Sequence, residues 1–115
     1  MKRAKLAGAV LAVSATMGVV GAGAASASTT APQIAYGASG YKVKCVQVAL
    51  NYHYGISMSV DGVFGSTTQK WVRQLQSDGG LSVDGVVGKY TGNLLMGTLN
   101  KTGHSDCYAY IPTTY

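Results

Sequence analysis

Ser59-Val60-Asp61-Gly62-Val63-Phe64-Gly65 recurs 23 residues later as Ser82-Val83-Asp84-Gly85-Val86-Val87-Gly88. A threonine stands three residues past the last glycine of each copy, Thr68 and Thr91. Asp-Gly is a strong turn signal, because the Asp side chain accepts backbone amides ahead of it and glycine adopts positive φ without a steric cost. The closing glycine stands where a helix N-terminus begins, and helical spacing follows it in both copies. The unit therefore reads as turn, short apolar bridge, glycine, helix, used twice.

Ahead of the first unit, Val43, Val46, Gln47 and Leu50 fall at i, i+3, i+4 and i+7, which predicts a helix from Tyr41 to Asn51. Tyr41, Cys45, Val48 and Tyr52 gather on its opposite side. A helix apolar on two faces requires two coverings. The tail, Cys107-Tyr108-Ala109-Tyr110-Ile111-Pro112, is the expected second cover, with Cys45–Cys107 as its clamp. Gly55 ends this helix after Tyr52-His53-Tyr54. A second helix is predicted from Ser66 to Ser77, with Thr68, Trp71, Val72 and Leu75 inward and Lys70, Arg73 and Gln74 outward. Asp78-Gly79-Gly80 breaks the chain. A third helix is predicted from Lys89 or Tyr90, carrying Thr91, Leu94, Leu95 and Leu99 inward, and Lys101-Thr102-Gly103 ends it. The expected fold is all-α: a small three-helix bundle over residues 40–100, two Asp-Gly turn units between the helices, and a Tyr-rich tail over 101–115 pinned by a disulfide.

The beginning of the chain reads differently. Lys2, Arg3 and Lys5 precede an apolar stretch from Leu6 to Val20, and Ala25-Ser26-Ala27 is a small-residue cleavage site. Residues 1–27 thus read as a secretory signal peptide rather than an anchor, since the apolar run falls short of the ~20 residues that span a bilayer. Residues 28–39, rich in Ser, Thr, Ala and Gly without periodicity, read as a flexible lead.

Three of the nine Lys/Arg leave with the signal, so six face four Asp and the mature net charge is +2. The mature chain has no Lys/Arg cluster, so nucleic acid is not an expected partner. Nor is a membrane after cleavage, and a monomer is expected. The 88 remaining residues make a marginal core of the kind that secreted domains reinforce covalently. In an oxidising compartment, two cysteines 62 positions apart predict one disulfide, worth about 4 kcal/mol by loop closure. No His or Cys pair stands at metal-ligand spacing. Each turn offers one Asp, where a calcium loop needs several acidic oxygens within about a dozen residues. No metal or cofactor is expected.

Taken together, Val43-x-x-Val46-Gln47-x-x-Leu50, Asp61-Gly62-x-Phe64-Gly65-x-x-Thr68 and Val72-x-x-Leu75-Gln76 are similar to the peptidoglycan-binding-like domain family. Leu81, Asp84-Gly85-x-Val87-Gly88-x-x-Thr91 and Leu94 or Leu95 complete the resemblance, which covers about residues 40–97. It implies a three-helix bundle that binds cell-wall peptidoglycan without cleaving it. Such domains usually accompany a wall hydrolase, whereas this one is expected to stand alone behind its signal, extracellular or wall-associated. The alternative is an extracellular protein-interaction or inhibitor domain on the same fold, using the C-terminal tail.

The residues assign the turns to structure. Asp61 and Asp84 accept amides in their own turns, Gly62, Gly65, Gly85 and Gly88 shape them, and Thr68 and Thr91 satisfy local backbone groups. Gln47 and Gln76 are expected to bond loop backbone. The chemistry inventory argues against an enzyme: two histidines, four Asp and no Glu. Paired-carboxylate hydrolysis needs two acids held several Å apart, one with a raised pKa, and the His104-Ser105-Asp106 tail is spaced too tightly for a triad. For a glycan ligand, aromatic rings and hydrogen-bonding side chains matter most. The candidates are Tyr52, His53 and Tyr54 at the end of the first helix, with Tyr90 beside them. Lys70 and Arg73 are candidates for a stem-peptide carboxylate.

Overall fold

In the computed structural model, which describes residues 30–115, three α-helices follow one another. They are α1 over Tyr41–Tyr54, α2 over Ser66–Asp78 and α3 over Lys89–Lys101, and a short 3-10 helix, η1, spans Ser105–Ala109. The expectation of a signal peptide falls outside the described residues. The predicted three-helix bundle is the observed architecture, and the helix starts at Tyr41, Ser66 and Lys89 match the reading from spacing. α1 runs one turn further than expected. It stops where Gly55 adopts the left-handed conformation at φ 63° and donates its N–H to the Asn51 carbonyl. Asn51 also clamps the following loop, bonding both the N–H and the carbonyl of Met58 at 2.8 and 2.9 Å.

The core sits between the three helices. Val43, Val46 and Leu50 meet Val72, Leu75, Leu95 and Leu99, and Phe64 and Val87, one from each apolar bridge, fill it from the turn side. Two inward assignments shift. Met96 rather than Leu94 is buried on α3, and Leu94 lies partly exposed. Trp71 reaches only the margin of the core, where its ring stacks on Tyr54 at 5.1 Å.

The second face of α1 is covered in part: the tail seals Cys45, while Tyr41 and Tyr52 stay 47% and 58% exposed. Cys45 and Cys107 are joined with their Cα atoms 5.8 Å apart, and both are buried. Tyr41 donates its hydroxyl to Asp106 at 2.6 Å, and its ring meets that of Tyr110 edge-on at 5.1 Å. Beyond η1, Ile111 and Thr113 are fully buried, and Thr114 is tied to Asn93 of α3 through both its backbone and its side chain.

The lead departs from expectation. Residues 34–40 are docked, not flexible. Ile34 is fully buried and exchanges two backbone hydrogen bonds with Val87 in an antiparallel bridge. Phe64 donates to the Ala38 carbonyl and accepts from Gly37, both at 2.9 Å, and Gly40 donates to the Gly62 carbonyl. The lead thus runs across both apolar bridges and satisfies backbone groups that would otherwise be buried without partners.

Candidate functional site

Each turn unit is closed by a glutamine from the preceding helix. In the first, the Gln47 side-chain nitrogen faces Asp61 Oδ1, the Val63 carbonyl and Thr68 Oγ1 at 3.0–3.1 Å, while its oxygen accepts the Gly62 N–H at 3.0 Å. In the second, Gln76 faces Asp84 Oδ1, the Val86 carbonyl and Thr91 Oγ1 at 2.8–3.1 Å. Its oxygen accepts the N–H groups of Gly85 and Asp84. An amide nitrogen carries two hydrogens, so in each node the two are shared among three acceptors. Both glutamines are buried, and at such depth an unpaired amide costs more than it contributes when paired. The expected backbone bonds are present, and so are the Asp bonds within their own turns: Val63 N–H donates to Asp61 and Val86 N–H to Asp84. The threonines differ from expectation. Their hydroxyls serve the glutamine rather than local backbone. The Val63 and Val86 amides, followed by the glutamines, hold the Asp61 and Asp84 carboxyls below the usual carboxylate range.

Beside each node lies an open groove. The first encloses about 320 Å³ between Met58, Ser59, Asp61 and the start of α2 at Ser66 and Thr67. The second encloses about 530 Å³ between Leu81, Ser82, Asp84 and the start of α3 at Lys89 and Tyr90, and Gln33 closes one side. A third, shallower depression of about 490 Å³ runs along the outer face of α2, past Lys70, Arg73 and Val83.

The six residues expected to meet ligand are distributed over separate surfaces. Tyr90, 70% exposed, walls the second groove. It does not join Tyr52–Tyr54: His53 instead approaches Thr98 at 3.4 Å, eight residues or about 12 Å along α3 from Tyr90. Tyr52 is exposed against the His104 ring at 5.6 Å. Tyr54 is half-buried between His53 and Trp71 and donates to Asp78 at 2.6 Å. Burial, then this bond, pushes the Tyr54 hydroxyl pKa well up, while Tyr54 and Gln74 hold Asp78 low. Lys70 lies 5.4 Å above the Trp71 ring, and Arg73 lines the outer depression within reach of the Asp84 charge. His104 and Asp106 turn to different partners, Thr102 and Tyr41. Among the described residues no three His, Cys, Asp or Glu side chains gather as a metal site, and no helix is long and apolar enough to cross a membrane.

Lys89 and Gln33 were not among the expected site residues. Aligning the two units residue by residue singles out Lys89, since the copies differ right after the closing glycine. Gln33 lies in a segment without periodicity, and nothing local marks it.

A family model of the peptidoglycan binding domain matches residues 39–95. Among solved structures, the SleB N-terminal domain is similar with a TM-score of 0.56 and 38% identity, over 59% of this chain and 93% of that one. A fused Zn-dependent amidase/peptidase/peptidoglycan-binding domain protein from Clostridium acetobutylicum is similar at TM-score 0.54 and 38% identity, over 57% of this chain and 29% of that one. A peptidoglycan-binding protein from Clostridioides difficile, solved in complex with glutamine hydroxamate, is similar at TM-score 0.53 and 38% identity, over 57% and 41%. This chain therefore spans well under half the length of those two proteins. No curated protein matches it. With the three helices, both turn units and 38% identity over nearly all of the SleB domain, the chain belongs to the peptidoglycan binding domain family.

Proposed function

We propose that this protein is a secreted, wall-associated module that holds peptidoglycan without cleaving it, and that the two turn-unit grooves are its contact surface. The observation that carries this reading is the repeated Gln–Asp–Thr node. It fixes two rigid, polar-floored grooves in a chain of the peptidoglycan binding domain family. Tyr90 supplies an exposed aromatic ring beside hydrogen-bonding groups, the pairing that suits a sugar or peptide surface. Tyr52 and His53 form a smaller exposed aromatic patch at the far end of α1 for a neighbouring part of the same polymer.

Binding without catalysis is supported by three of the four carboxylates. Asp61, Asp78 and Asp84 each accept bonds that favour the ionised form, the opposite of what a protonated general acid at a glycosidic bond requires. Co-sedimentation with purified insoluble peptidoglycan tests the reading. The protein is expected in the pellet at low salt with no clearing of a cell-wall suspension. Protein that stays in the supernatant sinks the binding role, and clearing sinks its non-catalytic part.

A further inference from the structure

The walls of the two grooves correspond position by position. Met58, Ser59 and Asp61 of the first stand where Leu81, Ser82 and Asp84 stand in the second. The correspondence breaks directly after the closing glycine, where the first groove has Ser66 and Thr67 and the second has Lys89 and Tyr90. Size diverges with chemistry: the second groove encloses about 530 Å³ against about 320 Å³.

The cation is unspent. Lys89 has no hydrogen-bond or ion-pair partner among the described residues. Lys70, by contrast, is seated over Trp71, and Arg73 acts on Asp84. The residues lining the first groove carry no cation. In both grooves, Oδ1 of the aspartate is committed to the node, and Oδ2 has no partner among the described residues.

We propose that the two grooves divide the polymer between them: the second takes a stem peptide bearing a free carboxylate, and the first takes the neutral glycan strand. This rests on the peptidoglycan reading above. The glycan strand presents hydroxyl and acetamido groups without charge, whereas free carboxylates belong to the peptides. An ammonium meeting a carboxylate makes a charge-assisted bond with no counterpart in the first groove. Tyr90 packs against the peptide's apolar side chains, and the open Asp84 oxygen accepts a peptide N–H. In the first groove, the hydroxyls of Ser59, Ser66 and Thr67 and the open Asp61 oxygen match sugar hydroxyls and acetamido N–H groups.

The test is an NMR titration of the full mature protein with two probes, a free stem peptide and a neutral N-acetylglucosamine oligomer. The oligomer carries the glycan's hydroxyl and acetamido groups without the lactyl carboxylates that peptide removal would expose. Wild type is expected to shift signals of residues 82–91 with the peptide and of residues 59–68 with the glycan. Lys89→Ser, at an exposed position, is expected to weaken the peptide about tenfold or more and the glycan by less than about twofold. Adding Ser66→Lys to that variant is expected to restore peptide binding at the first groove. Equal weakening of both probes, or an unchanged peptide affinity, overturns the division. A wild type that fails to bind whole insoluble peptidoglycan sinks the reading beneath it instead.

Discussion

Gly92 of α3 faces the carbonyl of Pro112 so closely that a β-carbon built on the glycine would lie 1.6 Å from that oxygen. The tail is therefore seated on α3 backbone to backbone, and the position admits no side chain. Gly92→Ala is expected to push residues 110–115 off the helix and to cost about 1–3 kcal/mol or more. Thermal melting, with limited proteolysis of the tail, checks this. An alanine variant that melts with wild type and keeps its tail protected would contradict the contact.

The disulfide holds the other end of the same segment. Opening Cys45–Cys107, 62 residues apart in sequence, with Cys107→Ser is expected to remove about 4 kcal/mol by the loop-entropy model. The tail should become cleavable while α1–α3 keep their helical signal. Two free thiols in the intact mass of the purified, non-reduced protein would rule the bridge out.

The two glutamines should be individually indispensable. Gln76→Leu keeps the volume but strands the Gly85 and Asp84 amides and Thr91 Oγ1, an expected loss of about 3 kcal/mol in denaturant unfolding. Gln47→Leu is expected to cost a similar amount. A loss below about 1 kcal/mol at either site would mean that the node contributes little.

Stability should fall at both ends of the pH scale. Asp61, Asp78 and Asp84 titrate below their ordinary value of 3.8, so their contribution is present above it and lost as pH drops through the folded values. Tyr54 titrates above its ordinary 10.0, so its contribution is present below pH 10 and lost as pH rises beyond. A plateau from about pH 5 to about pH 9 is expected in urea unfolding. Tyr54→Phe should flatten the alkaline loss, and also the acid one, because Asp78 loses its largest stabilising partner. Stability that keeps rising below pH 4 would refute this.

Local pattern carried most of the fold. Val43, Val46 and Leu50 on one stripe, and a glycine before each of Ser66 and Lys89, were enough to set the helices and their starts. Long-range pairings were not legible. Ile34 is a lone apolar residue in a small, polar segment, and its partner Val87 lies 53 positions away, where no periodicity reaches. The glutamine nodes were hidden by unequal spacing. Gln47 precedes its aspartate by 14 residues and Gln76 by 8, so the 23-residue repeat does not carry the glutamines with it. Tyr90 was displaced from Tyr52–Tyr54 because helix order says nothing about which ends adjoin.

α2 lends Thr68 to the first node and Gln76 to the second, eight residues or about 12 Å apart on one uninterrupted helix. The interval between the grooves is thus set by a rigid rod with no hinge in it. A ligand that repeats along its length would meet a gauge of fixed pitch, and once one groove is filled the second encounter is intramolecular, with no linker to order. Short fragments would forfeit that gain, so under the proposed two-groove contact the length of one helix would favour the intact polymer.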